Sequence, residues 1–383
     1  MDFVKNLELK IINLKSEFGY RFIKPVFNGS EKYIIINGKK LLNLASNNYL
    51  GLTTNKIIKD AAIEGIKRYG TGASSSRLIV GNSILYDELE REISDFKCKD
   101  RSLVLNSGYC ANLAALSITK DCDVFMDKLC HASLIDGAIL AGKKFYRFRH
   151  NDLEHLEKMM KDSVNPKVVI TESVFSMDGD LCDLVNLVML SKKYDFFIIL
   201  DEAHATGIFG SGRGLAHEYS LSHDIHLSVG TFSKALGSLG GYLSGDSVVI
   251  DYITNFARSL IYTTALPPSV LSANIAALKF VKENPSYGSS LLKMSDEIRN
   301  YLKSLGFDTL NSSSQIIPVL LKDKERTLKA QEILSNMGVY VAAIREPTVP
   351  KNSARLRISL RSDLNFDEIE LIKQSFFALA GQI

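Results

Sequence analysis

Between about residues 55 and 275 the chain alternates short apolar runs with longer amphipathic stretches, and this alternation restricts the fold more than any other property of the sequence. The short runs are RSLVLNS, DVFMD, KKFYRF, KVVITES, FFIILDE and HLSVGTFSK. Between them, segments such as SILYDELEREISDFK and DLVNLVMLSKKYD place apolar residues at helical spacing. Strands apolar on both faces must be covered on both, and strands separated by helices pair in parallel. The expectation is an α/β fold: a mostly parallel sheet flanked by helices.

The two ends read differently. Residues up to about Phe18 form an amphipathic pattern expected to be a helix, and YIIINGKKLLNL reads as a hairpin, because Asn37-Gly38 accommodates the positive φ angles of a tight turn. After about residue 280 the order becomes a helix, QIIPVLL, a helix ending at Gly338, VYVAAI and RLRISL, the pattern of a smaller α+β domain. The expected division is an N-terminal helix and hairpin segment over 1–50, a large domain over 51–278 and a small domain over 279–383. At 383 residues the chain is long enough for two such domains and a large core.

Charge and cysteine usage narrow the class. A formal net charge of +3 gives no case for a nucleic-acid partner. Five cysteines without a C-x-x-C spacing argue against a disulfide framework or a thiolate zinc site, and for a reducing compartment, so a cytoplasmic location is expected. The opening residues contain acids and read as a helix rather than a signal peptide, and no apolar run reaches the length of a membrane span. His217, His223 and His226 match no zinc spacing, so no metal is expected.

In an open parallel sheet, ligands sit at the carboxyl ends of the strands. FFIIL ends in Asp201-Glu202-Ala203-His204, KVVI in Thr171-Glu172-Ser173, and HLSVG in Thr231-Phe232-Ser233-Lys234. RSLVLNS runs through Ser107-Gly108-Tyr109 into the helical ANLAALSI. Each has an ordinary reading: Gly108 as a strand-to-helix turn, Asp201 as a cap or ion pair, His131 in LCHASLIDG as a structural hydrogen-bonder. Asp-Glu-Ala-His also names the DEAH-box helicases, but the G-x-x-x-x-G-K-[ST] loop they require is missing. Lys234 resists an ordinary reading, because TFSKALGSLGG surrounds one amine with small residues. A lysine is a nucleophile only when deprotonated, and burial favours that form. Pyridoxal phosphate (PLP) needs a lysine for a Schiff base, a carboxylate for its pyridine nitrogen and a phosphate cradle, and favours a flat group over the ring. Lys234, Asp201, the N–H groups at the Gly108 turn and His131 supply all four. The hydroxyls of Thr231 and Ser233 stand beside the lysine, within reach of a phosphate.

With these residues in place, NNYLGL (47–52), YGTGASSSR (69–77), NSGYCAN (106–112), HASLIDG (131–137), TESVFSMDGD (171–180), DEAHATGIFGSGRG (201–214), TFSKALG (231–237) and IYTTALPP (261–268) make the sequence resemble the α-oxoamine synthases, PLP enzymes of the aspartate-aminotransferase fold type. The likeness covers nearly the whole chain. ARSLIYTTALPP, AIREPTVPKNSARLRISL and Arg21 ahead of Pro25-Val26 are most similar to members that condense L-alanine with a pimeloyl thioester in biotin biosynthesis. The resemblance implies that Lys234 holds the cofactor as a Schiff base and then acts as a base. It implies that Asp201 pairs with the pyridine nitrogen, that His131 stacks on the ring, and that His204, helped by Ser176, bonds the ring hydroxyl. Backbone at Gly108-Tyr109 and the Thr231 hydroxyl would bind the phosphate. Thr263 and Asn47 would come from the second copy in a homodimer with shared sites. Arg357 would clamp the amino acid carboxylate, and Arg21 and Thr348 would contact the acyl substrate, carried on coenzyme A or acyl carrier protein. Glycine C-acetyltransferases and long-chain acyl transferases of the family would share every cofactor residue, whereas a non-catalytic relative would be expected to lose Lys234 or Asp201. Arg361-Ser362-Asp363-Leu364 stands where relatives commonly carry Thr-Ala-Ala-His, a departure expected to touch acyl selection rather than cofactor binding.

Overall fold

The computed structural model describes residues 3–16, 20, 21, 23, 25–142 and 144–383. The first helix is Phe3–Ser16, and its expected end at Phe18 lies outside the described residues. In chain order the strands are β1 (Tyr33–Ile36), β2 (Lys39–Asn43), β3 (Arg101–Leu105), β4 (Asp123–Asp127), β5 (Phe145–Phe148), β6 (Lys167–Glu172), β7 (Phe196–Asp201), β8 (Leu227–Thr231), β9 (Gly241–Gly245), β10 (Ile316–Lys322), β11 (Val339–Tyr340), β12 (Ala342–Ile344) and β13 (Ala354–Ser359). The chain groups into two compact units, one of residues 47–176 and 180–292, the other of 1–46, 177–179 and 293–383. The helix Ser286–Ser304 straddles the last border, so residues 279–292 group with the central unit.

The central unit is built on a seven-stranded sheet of order β3-β9-β8-β7-β6-β4-β5. Neighbours from β8 through β7, β6 and β4 to β5 are parallel, while β9 runs antiparallel to both β8 and β3. All six apolar runs are strands. Between them, SILYDELEREISDFK forms the helix Ile84–Lys97 and DLVNLVMLSKKYD the helix Leu184–Tyr194. On one sheet face Ala111, Ala114 and Ala115 of the helix Gly108–Ala115 pack with Met126, Ile170, Ile199 and Val229, all buried. The small alanines let that helix lie close to the sheet, which fixes where its first turn points.

The strand not expected is β9, GYLSG. Its glycines hide it from any alternation count, and they are there for a close approach: a Cβ on Gly241 would stand 2.5 Å from the Ser107 carbonyl oxygen. Because β9 returns directly beside β8, residues 232–240 form a hairpin loop, closed by Phe232 N–H donating to Gly240 O at 3.0 Å. Lys234 rides on that loop.

In the terminal unit β1 and β2 form the expected hairpin, with φ of 51° at Asn37 and 76° at Gly38, and β11 joins β2 in parallel. A second sheet has the order β10-β13-β12. VYVAAI thus divides into two strands of different sheets about the buried Val341. Arg361 and Asp363 of the departing RSDL stretch pair with one another, Nε to Oδ1 at 2.7 Å and Nη2 to Oδ2 at 2.9 Å, while Arg361 Nη1 donates to Glu31 O at 2.8 Å. That stretch ties down the chain ahead of β1. Among the described residues no helix is long and apolar enough to cross a membrane, no cluster of three His, Cys, Asp or Glu side chains could hold a metal, and all five cysteines are free.

Candidate active site

The carboxyl edge of the central sheet encloses a cavity of about 210 Å³, lined among others by Gly108, His131, Asp201, His204, Thr231 and Lys234. Asp201 closes β7 and is 6% exposed. Ala203 N–H donates to its Oδ1 at 2.9 Å and Asn112 Nδ2 donates to its Oδ2 at 2.8 Å, so both oxygens are oriented from behind. Asn112 also donates to Ser133 Oγ at 2.9 Å, and that hydroxyl lies 2.7 Å from His131 Nδ1. A continuous path of hydrogen bonds therefore joins Asp201 to His131.

His131 is the N-cap of the helix Ala132–Leu140, and its Nδ1 accepts the Ser133 N–H at 3.2 Å. An accepting Nδ1 leaves the ring proton on Nε2. Burial, and then the charge of Lys234, lowers the His131 pKa, so the imidazole that lines the cavity is neutral. Its own backbone N–H donates to Glu172 Oε1 at 2.5 Å. Glu172 sits in register with Asp201 on the neighbouring strand and is 3% exposed. Burial, and then the Asp201 charge, pushes the Glu172 carboxyl up to about 8, against the pull of Lys234 and the His131 N–H. At neutral pH Glu172 therefore keeps its proton.

On the other side Lys234 Nζ lies 2.9 Å from His204 Nε2, and His204 Nδ1 lies 2.8 Å from the Tyr49 hydroxyl. Tyr49 donates its proton to Asn47 Oδ1 at 3.1 Å, so its oxygen accepts from His204 Nδ1–H and Nε2 is left to accept from the lysine. Asn47 reaches this chain of bonds within the same polypeptide. At the third wall Thr231 Oγ1 donates to Gly240 O at 2.7 Å and accepts the Ser233 N–H at 3.2 Å. Facing it is the first turn of the helix Gly108–Ala115, whose N-cap Ser107 accepts the Cys110 N–H at 3.1 Å. A Cβ on Gly108 would stand 3.4 Å from Thr231 Cβ, an ordinary contact distance, so the helix start and the hydroxyl lie side by side. An amine, a carboxylate with both oxygens oriented, a neutral imidazole and a cradle of N–H and hydroxyl groups are the donor set PLP requires, and these residues fit it.

The other expected residues are placed as follows. Tyr109 lines the cavity and donates its hydroxyl proton to Asp136 Oδ2 at 2.6 Å. Ser176 is half-buried on the loop after β6. Thr263 accepts from Asn106 Nδ2 at 3.1 Å and does not line this cavity. In the terminal unit Arg357 is buried on β13, donating to Ser359 Oγ at 2.8 Å. Arg21 and Thr348 meet, Nη2 to Oγ1 at 3.2 Å, and with Lys15 and Arg345 line a second cavity of about 790 Å³. Asn112, Ser133, Glu172 and Tyr49 were given no role from the sequence.

The fold and the residues at the strand ends define a PLP enzyme of fold type I. The family described as aminotransferase class I and II matches residues 39–372. A protein of Bacillus mycoides (strain KBAB4) named "Putative 8-amino-7-oxononanoate synthase" is 47% identical over 363 residues, 93% of this chain and 92% of that protein. The Sphingomonas wittichii serine palmitoyltransferase superposes with a TM-score of 0.93 at 28% identity, each chain covered completely. A structure of SPT with PLP gives the same values. The Francisella tularensis 8-amino-7-oxononanoate synthase gives 0.77 at 27% identity, covering 88% of this chain and 97% of that one. The chain therefore belongs to the class I and II aminotransferase family and, within it, to the α-oxoamine synthases, PLP-dependent enzymes of acyl transfer.

Proposed function

We propose that this chain condenses L-alanine with a pimeloyl thioester, releasing carbon dioxide and the thiol, to give 8-amino-7-oxononanoate for biotin biosynthesis. The observation that carries the chemistry is the convergence of Lys234, Asp201, His131 and His204 on one cavity. The substrate assignment is supported by the names of the relatives at 45–47% identity. PLP, when bound, would supply an aldehyde for imine formation and a ring that accepts the electron pair of a deprotonated Cα.

Every other requirement falls on side chains. Lys234 would hold the cofactor through its amine and, when that amine is free, take the proton from Cα and later return one. His204, accepting from the lysine through Nε2, holds that amine in place. Asp201, fixed by Asn112 and Ala203, would keep the proton on the pyridine nitrogen through a charge-assisted bond. His131 would cover the ring face as a neutral imidazole; Ser176 would assist His204 at the ring hydroxyl. The N–H groups at Gly108-Tyr109 and the Thr231 hydroxyl would hold the phosphate. Arg357 would bind the alanine carboxylate. The second cavity holds the Arg21 and Thr348 pair, and its guanidinium suits an acyl chain that ends in a carboxylate. Thr263 would serve the site of a second copy.

A second reading is favoured by the higher TM-score of the serine palmitoyltransferase: transfer of a long alkyl chain, which Val26, Leu328 and Ile344 of that cavity could line but which its guanidinium would not engage. The test is to incubate the PLP-loaded protein with each candidate amino acid and a series of acyl thioesters, on coenzyme A and on acyl carrier protein, and to identify the ketone by mass. The expected product is 8-amino-7-oxononanoate from alanine and pimeloyl donors, and none from Lys234→Ala. Product from serine or glycine with acetyl or long-chain donors alone would move the assignment to the second reading.

A further inference from the structure

His150, on the loop after β5, lies outside the cavity and is held between two carboxylates. Its Nδ1 stands 3.0 Å from Asp127 Oδ1, and its Nε2 stands 2.7 Å from Asp180 Oδ2. The edge of the ring rests on Phe175, with centroids 4.4 Å apart and planes at 87°. Asn151 repeats both connections: its backbone N–H donates to Asp127 Oδ2 at 2.9 Å, and its Nδ2 donates to Asp180 Oδ2 at 3.1 Å and to Leu181 O at 3.0 Å. Carboxylates only accept, so a ring bonded to one at each nitrogen must carry both protons.

The three loops tied by this contact are strand-end loops of the same sheet edge. Asp127 ends β4, accepts the Leu129 N–H at 2.8 Å, and leads within four residues to His131. Asp180 lies on the loop after β6, where Phe175 N–H donates to its carbonyl at 3.0 Å and Val174 bridges Leu181. Ser176 follows Phe175 directly. The charged groups facing the ring are Asp127 from β4 and Asp180 from the loop after β6; Phe175 closes the apolar side.

We propose that His150 is a positioning residue: as an imidazolium clamped by Asp127 and Asp180, it fixes the loop that carries His131 against the loop that carries Ser176. The proposal rests on the reading of those two residues as cofactor-facing. Removing the cation leaves two buried carboxylates repelling each other across the gap, and the loops part at the level of the cavity. Burial works against the charged ring, but the two carboxylates outweigh it and raise the His150 pKa to about 9. The clamp is therefore closed through neutral pH and opens as pH rises through about 9.

The experiment pairs nuclear magnetic resonance of the 15N-labelled imidazole in the cofactor-free protein with pH profiles of PLP affinity and of kcat/KM. In the wild type the His150 shifts should titrate near pH 9, and PLP affinity should fall across the same range. Asp180→Asn, which removes one carboxylate and keeps an oxygen for Asn151, should lower the His150 midpoint by one pH unit or more and move the alkaline fall of PLP affinity and kcat/KM by the same amount. His150→Gln should weaken PLP binding and kcat/KM by about 10- to 100-fold at pH 7. A neutral His150 at pH 7, or alkaline limbs that stay in place in Asp180→Asn while the shifts move, would overturn the proposal. Wild-type activity in Lys234→Ala would instead overturn the reading on which it rests.

Discussion

Two buried carboxyls stand side by side at the tips of β6 and β7, and the chemistry proposed for the site calls on only one of them, Asp201, as an anion. Asp201 accepts two N–H donors and, in the proposed function, would meet a cationic nitrogen; Glu172, pushed up by burial and by Asp201 itself, keeps its proton. The two should therefore answer differently to loss of charge. Asp201→Asn should fold yet lose at least about a hundredfold in kcat, since it removes the anion that would hold the ring proton. Glu172→Gln replaces one neutral group with another and still accepts the His131 N–H, so it should cost about 1 kcal/mol or less, a factor of about five. Steady-state kinetics with circular dichroism of each variant checks the pair, and equal losses would mean that Glu172 works as an anion. From the sequence, Asp201, His131 and Lys234 were legible because they end or follow apolar runs. Asn112, Ser133 and Tyr49 were not, because their partners lie 89, 21 and 155 positions away and only packing brings them together.

At the scale of elements, the position of the lysine loop depends on how β8 and β9 meet. Gly230 stands directly opposite Tyr242 in that antiparallel pair, and a Cβ there would come within 2.2 Å of the Tyr242 ring. The buried phenol is in turn held 3.0 Å from Thr206 Oγ1. Gly230→Ala must push the ring aside or spread the strands, and overpacking of this kind costs about 1–3 kcal/mol. Because Thr231 is the next residue, the same variant should weaken PLP binding more than it alters the circular dichroism spectrum. Urea unfolding and a cofactor titration measure both; unchanged values in each would mean that the hairpin absorbs the methyl group. The six parallel-running strands could be read from the sequence because each is a short, largely apolar run set off by helical segments. β9 could not, since a strand selected for lack of side chains leaves no pattern. The division of VYVAAI between two sheets was equally hidden, because a two-residue strand carries no periodicity.

At the scale of the whole molecule the central unit presents, among the described residues, an apolar surface built on three consecutive large side chains. Leu78, Ile79 and Val80 lie in the helical turn Arg77–Gly81, with Val80 80% exposed, and Tyr262 nearby is 71% exposed. The segment is firmly anchored rather than loosely displayed. Arg77 turns inward to Asn82 Oδ1 at 2.7 Å, Glu90 Oε1 at 2.6 Å and Val104 O at 2.8 Å, while Ser76 bridges Thr264. A rigid turn that presents three consecutive large apolar side chains to water is costly unless something covers it. Thr263, the residue expected to serve the neighbouring site, adjoins the same surface through that bridge, which favours a second copy of this chain as the cover. In a two-fold dimer every contact of the patch occurs twice, so one substitution acts twice. Val80→Asp should place two carboxylates in a dry contact, at a cost of about 3 kcal/mol or more, raising the dimer dissociation constant by at least about a hundredfold. Sedimentation velocity at micromolar concentration should show a dimer for the wild type and a folded monomer for Val80→Asp, with activity lost in step with the dimer. A wild-type monomer with full turnover would remove the second copy from the site altogether.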